Sequence, residues 1–230
     1  MVAHGLTKYN LEPRHALRWP TTDRKVVLIP GQVEDDASIR LGCADIRTNA
    51  ALLGAVRQAE PDAFLVYKPH PDVMSGNRRG CLALEQAGRW ADHVETDASV
   101  VSCLDACDAV HTMTSLTGFD ALLRHKEVVT YGMPFYAGWG LTRDRLTSHP
   151  ALARRSRVLE LDELVAGTLL RYPIYWDWEL KGYTTCMAVL HRLRETRQRL
   201  EETGQLHRLK TGWWRRQWRK ARILAAAYLG

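Results

Sequence analysis

Short β-branched runs separated by helical stretches are the feature that most constrains this chain. VVLIP (26–30), AFLVYK (63–68), DHVET (92–96), AVHTM (109–113) and EVVTYG (127–132) read as strands. Between them lie helical patterns at 44–60, 81–89, 100–107 and 115–125. In the first of these Leu52, Leu53, Val56 and Ala59 share one face. Strands alternating with helices imply right-handed β-α-β crossovers and a parallel sheet covered on both faces. The continuous apolar character of the runs fits strands buried on both sides. The sequence therefore predicts an α/β fold with a doubly wound parallel sheet followed by carboxyl-terminal helices. Residues 1–23 form a lead-in, 24–180 the α/β domain and 181–230 a basic helical tail. Helices are expected at 161–173, which Pro173 ends, and at 186–203.

Composition narrows the class. At 230 residues and 46% hydrophobic, the chain has ample material for a core. No run approaches the roughly 18 apolar residues of a spanning helix. The amino terminus lacks the charged-then-apolar order of a secretory signal, which points to the cytoplasm. The five cysteines are scattered, and only Cys103 and Cys107 are close. With no second pair to complete a zinc site, they read as buried thiols on one helical face. Charge is unevenly spread: residues 186–230 hold 11 Lys/Arg against 3 Asp/Glu, while 1–185 hold 21 against 23. The tail is built to meet something anionic. No aromatic stacking platform or recognition motif accompanies the charge, so nucleic acid is not the expected partner.

In open α/β sheets ligands bind at the carboxyl ends of the strands. Four loops there are chemically loaded: Gly31-Gln32-Val33-Glu34-Asp35-Asp36-Ala37-Ser38, Lys68-Pro69-His70-Pro71-Asp72, Thr112 to Phe119, and Gly132 to Gly140. Each has a plainer reading alone, as a rigid proline turn, a helix N-cap, a charged surface loop or a packed aromatic loop. Their convergence on one sheet edge favours a phosphate-ester site. Thr114 and Ser115 open a helix, offering hydroxyls and unpaired N–H groups to an anion. His70, held between prolines, has the chemistry to donate a proton to a departing phosphate. Lys68 adds charge, and Glu34 suits the hydroxyls of a ribose. The GxxxxGK[ST] and GxGxxG patterns are absent, which argues against ATPase and nicotinamide chemistry.

The segments GQVEDDASI, YKPHPDV, HTMTSLTGFDALLRHKEVVTYGMPFYAGWGLT and RRSRVLELDELVAG resemble the KpsC-like family of capsule polysaccharide biosynthesis and export proteins. The resemblance runs from about Lys8 to Asp177. It implies a two-domain (GT-B) glycosyltransferase of which this chain is the Rossmann-like carboxyl-terminal, nucleotide-sugar-binding half, too short to be the whole enzyme. The implied activity is inverting transfer of Kdo (3-deoxy-D-manno-oct-2-ulosonic acid) from CMP-Kdo onto a lipid-linked saccharide acceptor, building a poly-Kdo linker. No metal or cofactor is implied. By position, a QxE motif falls on Gln32 and Glu34, an HP motif on His70 and Pro71, and a Ser/Thr-Gly helix start on Thr114, Ser115 and Gly118. His70 and Glu34 are the expected catalytic residues, and Gln32, Lys68, Pro71, Thr114, Ser115 and Gly118 the expected substrate-binding ones. Asp120 and His125 depart mildly from the family pattern. The catalytic base is implied to come mainly from a separate amino-terminal half. The alternative is a truncated, non-catalytic protein that binds a nucleotide sugar or a capsule assembly partner.

Residues 213–229 read WWRRQWRKARILAAAYL. Helical spacing puts Trp214, Trp218, Ala221, Ala225 and Tyr228 on one face and Arg215, Arg219 and Arg222 on another. Trp beside Arg and Lys suits an anionic bilayer interface. The expectation is peripheral attachment to the cytoplasmic face of the inner membrane, the alternative a Trp face packed on the protein.

Overall fold

The computed structural model describes residues 1–7, 16–20, 23–74, 80 and 82–205. The tail segment 213–229 and Cys81 lie outside these.

The strands are β1 (Val26–Pro30), β2 (Phe64–Lys68), β3 (His93–Val94), β4 (Ala109–Thr112), β5 (Glu127–Thr130) and β6 (Arg143–Asp144). They form one sheet in the order β3-β2-β1-β4-β5-β6, and every pairing is parallel. The chain winds outward from β1 in one direction and then, through β4, in the other. That reversal opens a crevice at the carboxyl ends of β1 and β4, where a doubly wound sheet takes its ligands.

Alternation along each strand divides the core in two. Val27 and Ile29 face one layer with Leu65, Ala109 and Val129. Val26 and Leu28 face the other with Val66, Val110 and Val128. The first layer is covered by α1 (Ala37–Gly42), α2 (Asn49–Ala59) and α4 (Leu84–Ala87). Leu52, Leu53 and Val56 of α2 are wholly buried there, each stabilising by about 1.5–3 kcal/mol. The second layer is covered by α5 (Val100–Ala106), α6 (Leu116–Leu122) and α7 (Leu161–Val165), through Cys103, Leu104, Phe119, Leu122 and Leu164. Cys103 and Cys107 are buried thiols outside any disulfide, as the spacing suggested. Burial pushes the Cys107 thiol up to about 12.

The helices are shorter than the sequence patterns implied. The 44–60 pattern resolves into a helix starting at Asn49, capped by the Thr48 hydroxyl, preceded by the separate α1, capped by Asp36. The 161–173 pattern is α7 followed by a π turn over Ala166–Arg171. The 186–203 pattern is α8 (Cys186–Glu202). Between them a hairpin, β7 (Tyr175–Asp177) with β8 (Gly182–Thr184), spans residue 180, where the sequence suggested a boundary. It is tied to α8 by Arg192, which donates to Asp177 at 2.7 Å. Its outer face leaves Trp178 and Tyr183 more than four-fifths exposed. Among the described residues no helix is long and apolar enough to cross a membrane.

Candidate functional site

The carboxyl ends of β1, β2 and β4 enclose a cavity of about 260 Å³. Gln32, Asp36, Ser38, Lys68, His70, Pro71, Thr114, Ser115, Thr117 and Asp120 contribute to its wall, and Thr7 reaches it from the amino-terminal segment.

Gly31 makes the junction between the β1 and β2 loops possible. Its N–H donates to the Lys68 carbonyl at 2.7 Å. A Cβ there would stand 2.8 Å from the Tyr67 hydroxyl and 3.1 Å from the His70 nitrogen. The next residue closes the crevice itself. The amide oxygen of Gln32 accepts from the Thr112 hydroxyl at 3.0 Å and from the backbone N–H groups of Met113 and Thr114 at 3.1 and 3.0 Å. Its amide nitrogen donates to the Thr114 hydroxyl at 2.9 Å. Gln32 is buried and spends its hydrogen bonds joining the β1 loop to the β4 loop. The Asn49 side chain holds the Gln32 backbone through both its N–H and its carbonyl.

His70 accepts the Asp72 N–H on Nδ1 at 3.1 Å. That bond assigns the neutral ring its proton on Nε2. Pro71 opens α3 (Pro71–Met74) directly behind it. Lys68 is buried to 8% exposure. Among the described residues nothing pairs with its ammonium, which leaves it a cation at the cavity wall. Ser115 caps α6 by accepting the Thr117 N–H at 3.2 Å, and its hydroxyl donates to that of Thr117 at 3.1 Å. The Thr114 hydroxyl donates to Ser38 at 3.2 Å. These hydroxyls stand at the wall but are bonded to one another.

Two expected site residues lie off the cavity. Glu34 accepts the Asn49 N–H at 2.7 Å, an acid on the positive end of α2. Gly118 sits beneath the wall, where a Cβ would come within 2.2 Å of the Tyr136 hydroxyl. That hydroxyl donates to the Ser115 carbonyl at 2.5 Å. The Gly132–Gly140 loop, read from sequence as part of the site, is absent from the cavity wall. Its Tyr136 braces the start of α6 from below. Trp139 donates to the Phe135 carbonyl at 2.8 Å and lies under the Arg155 guanidinium. Gly138 donates to Asp144 at 2.7 Å.

Thr7, Val100 and Asp120 are wall residues that sequence reasoning did not assign to the site, and Asp120 is the ionisable one. Asp120 is only 5% exposed, and burial lifts its carboxyl to about 6 against the opposing pull of Arg124. An acid flanked by Phe119, Ala121 and Leu122 on a short buried helix was the available signal. The cavity thus has a cation in Lys68, a donor in His70, and a carboxyl group that burial lifts above the usual carboxylate range.

A family model described as capsule polysaccharide biosynthesis protein matches residues 6–175. The chain belongs to that family. It is 54% identical over 175 residues to the capsule polysaccharide modification protein LipA of Neisseria meningitidis serogroup B, covering 76% of this chain and 24% of LipA. Over 174 residues it is 44% identical to the lipopolysaccharide-processing protein LpsZ of Rhizobium meliloti, covering 75% of this chain and 39% of that one. Two solved structures of KpsC from Thermosulfurimonas dismutans share the fold. The beta Kdo 2,7 transferase is 41% identical with a TM-score of 0.68, covering 77% of this chain and 55% of that one. The beta Kdo 2,4 transferase is 34% identical with a TM-score of 0.73, covering 84% and 59%. The chain therefore spans about a quarter of LipA's length and somewhat over half of each KpsC chain.

Proposed function

We propose that this chain supplies the donor-binding domain of a Kdo transferase acting in capsule polysaccharide biosynthesis, with CMP-Kdo as donor. The observation that carries the reading is the cavity at the reversal of the strand order, with Lys68 and His70 on its wall. The Lys68 ammonium on the wall attracts the nucleotide phosphate, and the His70 Nε2–H donates to it. As the bond from sugar to phosphate breaks, charge accumulates on the phosphate oxygens, and a proton held at Nε2 stabilises the leaving nucleotide. The Asp120 carboxyl suits sugar or ribose hydroxyls. Glu34 and Gln32 act by holding the loops in place. Similarity to KpsC supports Kdo as the sugar.

Calorimetry with CMP tests this. The chain should bind CMP, and His70→Ala should weaken binding by about 1–3 kcal/mol, the range for a hydrogen bond to a charged group. No binding at millimolar CMP overturns the reading, and an unchanged affinity in the variant removes His70 from the site.

The lipid-linked acceptor and the composition of residues 213–229 support peripheral attachment to the cytoplasmic face of the inner membrane. Co-sedimentation with vesicles containing anionic lipid should be strong at low salt, weak at high salt and abolished by deleting residues 213–230. An intact chain that ignores such vesicles defeats the proposal.

A further inference from the structure

The β7–β8 hairpin and the residues on either side of it carry an apolar surface that the fold leaves uncovered. Among the described residues, nine large apolar side chains between Leu170 and Leu193 are exposed, with Trp178 at 84%, Tyr183 at 81% and Leu180 at 75%. A concentration of this kind on a folded domain marks a surface that meets something.

The hairpin holds those side chains still. Trp176 and Tyr183 are cross-strand partners, so their side chains share a face, and their rings meet edge-on with centroids 5.4 Å apart. Trp178 packs against Trp176 at 6.4 Å. On the opposite face the Tyr175 hydroxyl donates to the Leu169 carbonyl at 2.7 Å. The Asp177 carboxylate accepts the Glu179 and Leu180 N–H groups at 2.9 and 3.0 Å, which closes the turn over residues 178–181. Three aromatic rings and a leucine therefore project from a braced hairpin.

Charge decides what this surface fits. Arg192 holds both hairpin carboxylates, Asp177 at 2.7 Å and Glu179 at 3.3 Å. Arg171 and Lys181 bracket the apolar residues in sequence, and among the described residues neither enters an ion pair. From residue 171 to residue 230 the sequence holds 13 Lys/Arg against 5 Asp/Glu, while 1–170 hold 19 against 21. Exposed indole and phenol rings beside surplus cation suit the headgroup layer of an anionic bilayer, where the rings sit at headgroup level and the cations meet lipid phosphate. A protein interface excludes charge from its centre and would leave that surplus without a role.

We propose that the hairpin is a second membrane-contacting element, placing Trp178, Leu180 and the Trp176–Tyr183 pair in the headgroup layer of an anionic bilayer. This rests on the reading that the chain works at a lipid surface. It adds insertion by a folded element to the charge carried by residues 213–229. One weak anchor is readily released, and two acting together hold.

The test is binding of the full chain to vesicles of phosphatidylcholine with phosphatidylglycerol, across a range of salt, for the wild type, Trp178→Ser/Leu180→Ser and Trp178→Phe. Both side chains are exposed, so the double variant should unfold at the wild-type urea concentration. It should bind at least about tenfold more weakly at every salt concentration, with the wild-type dependence on salt, because no charge is removed. Trp178→Phe keeps an apolar ring and should bind almost as the wild type does. A second measurement works on the wild type itself. With 5-fluorotryptophan in the chain, the fluorine resonance missing from Trp178→Phe belongs to Trp178. A spin label on the lipid acyl chain near the headgroup should broaden it in bicelles of the same lipids. Equal vesicle binding by the wild type and the double variant, or a Trp178 resonance left sharp by the lipid label, overturns the proposal and leaves attachment through the tail standing. A wild type that binds no vesicles overturns both. Self-association of the wild type that the double variant loses, with vesicle binding unchanged, assigns the face to a second copy of the chain instead.

Discussion

Gly118 shows how one side chain's absence shapes the site. The Tyr136 hydroxyl occupies the space a Cβ would need, and its bond to the Ser115 carbonyl holds the first turn of α6 in register with the cavity. Gly118→Ala gains helix propensity, worth up to about 1 kcal/mol. The clash outweighs that gain, so the variant should be less stable by about 1–3 kcal/mol in denaturant unfolding. Tyr136→Phe in the same background should recover part of the loss, because the nearest atom is then gone. A more stable Gly118→Ala protein contradicts the packing described. Residue identities at this edge were legible in the sequence, but their partners were not. Lys68 ends an apolar run, His70, Thr114 and Ser115 are polar residues in the loops that follow such runs, and that pattern placed them on the wall. Gln32 looked like a ligand contact, and its bonds to residues 80 and more positions away are a tertiary fact no local pattern encodes. Asp120 was hidden because an acid on a short helix ordinarily faces water.

At the scale of elements, legibility follows length and burial. β1, β2, β4 and β5 are buried, apolar and four or five residues long, so their signal survives in sequence. β3, β6 and the strands of the hairpin run two or three residues, and their pairing depends on neighbours. α1 spans six residues and its cap, Asp36, reads as part of a charged loop. The aromatic Gly132–Gly140 segment is distinctive as a motif, and it acts as a brace for α6. A distinctive motif marks a constrained shape as readily as a ligand contact.

Two buried groups set an unusual balance at the scale of the whole molecule. Burial, aided by Lys25, holds His111 down at about 4, below its ordinary 6.5. The unfolded chain therefore binds a proton that the folded one refuses, and stability present above 6.5 is lost as pH falls towards 4. Asp120 works oppositely. Its carboxyl is lifted from 3.8 to about 6, so the folded chain holds a proton the unfolded one releases, and stability grows as pH falls across that window. Each effect integrates to about 3 kcal/mol, and near pH 5 they nearly cancel. Stability of the wild type should be flat in this window as far as these two groups decide it. Asp120→Asn should uncover the His111 slope of about 1.4 kcal/mol per pH unit, measured by urea unfolding at several pH values. His111→Gln should uncover the reverse slope. Parallel curves for the wild type and Asp120→Asn dismiss the cancellation. Acid unfolding then begins lower, where Asp92 titrates. The Leu65 amide and Arg57 outweigh burial there and hold its carboxyl below the usual range.

The side chain of Gln32 fastens the two halves of the sheet where strand order reverses. Met113 and Thr114 follow the last residue of β4, and their N–H groups both end on one buried amide oxygen. Amide hydrogens in a loop ordinarily exchange with solvent quickly, because local opening exposes them. These two should instead exchange as slowly as Val110 or Val128 in the strands, since freeing them requires parting β1 from β4. Deuterium exchange followed by NMR reads this directly, and Gln32→Leu should release both amides while leaving Val110 protected. Fast exchange in the wild type means the seam opens without the sheet. Slow exchange means that a ligand enters a crevice whose floor stays shut on the timescale of global unfolding.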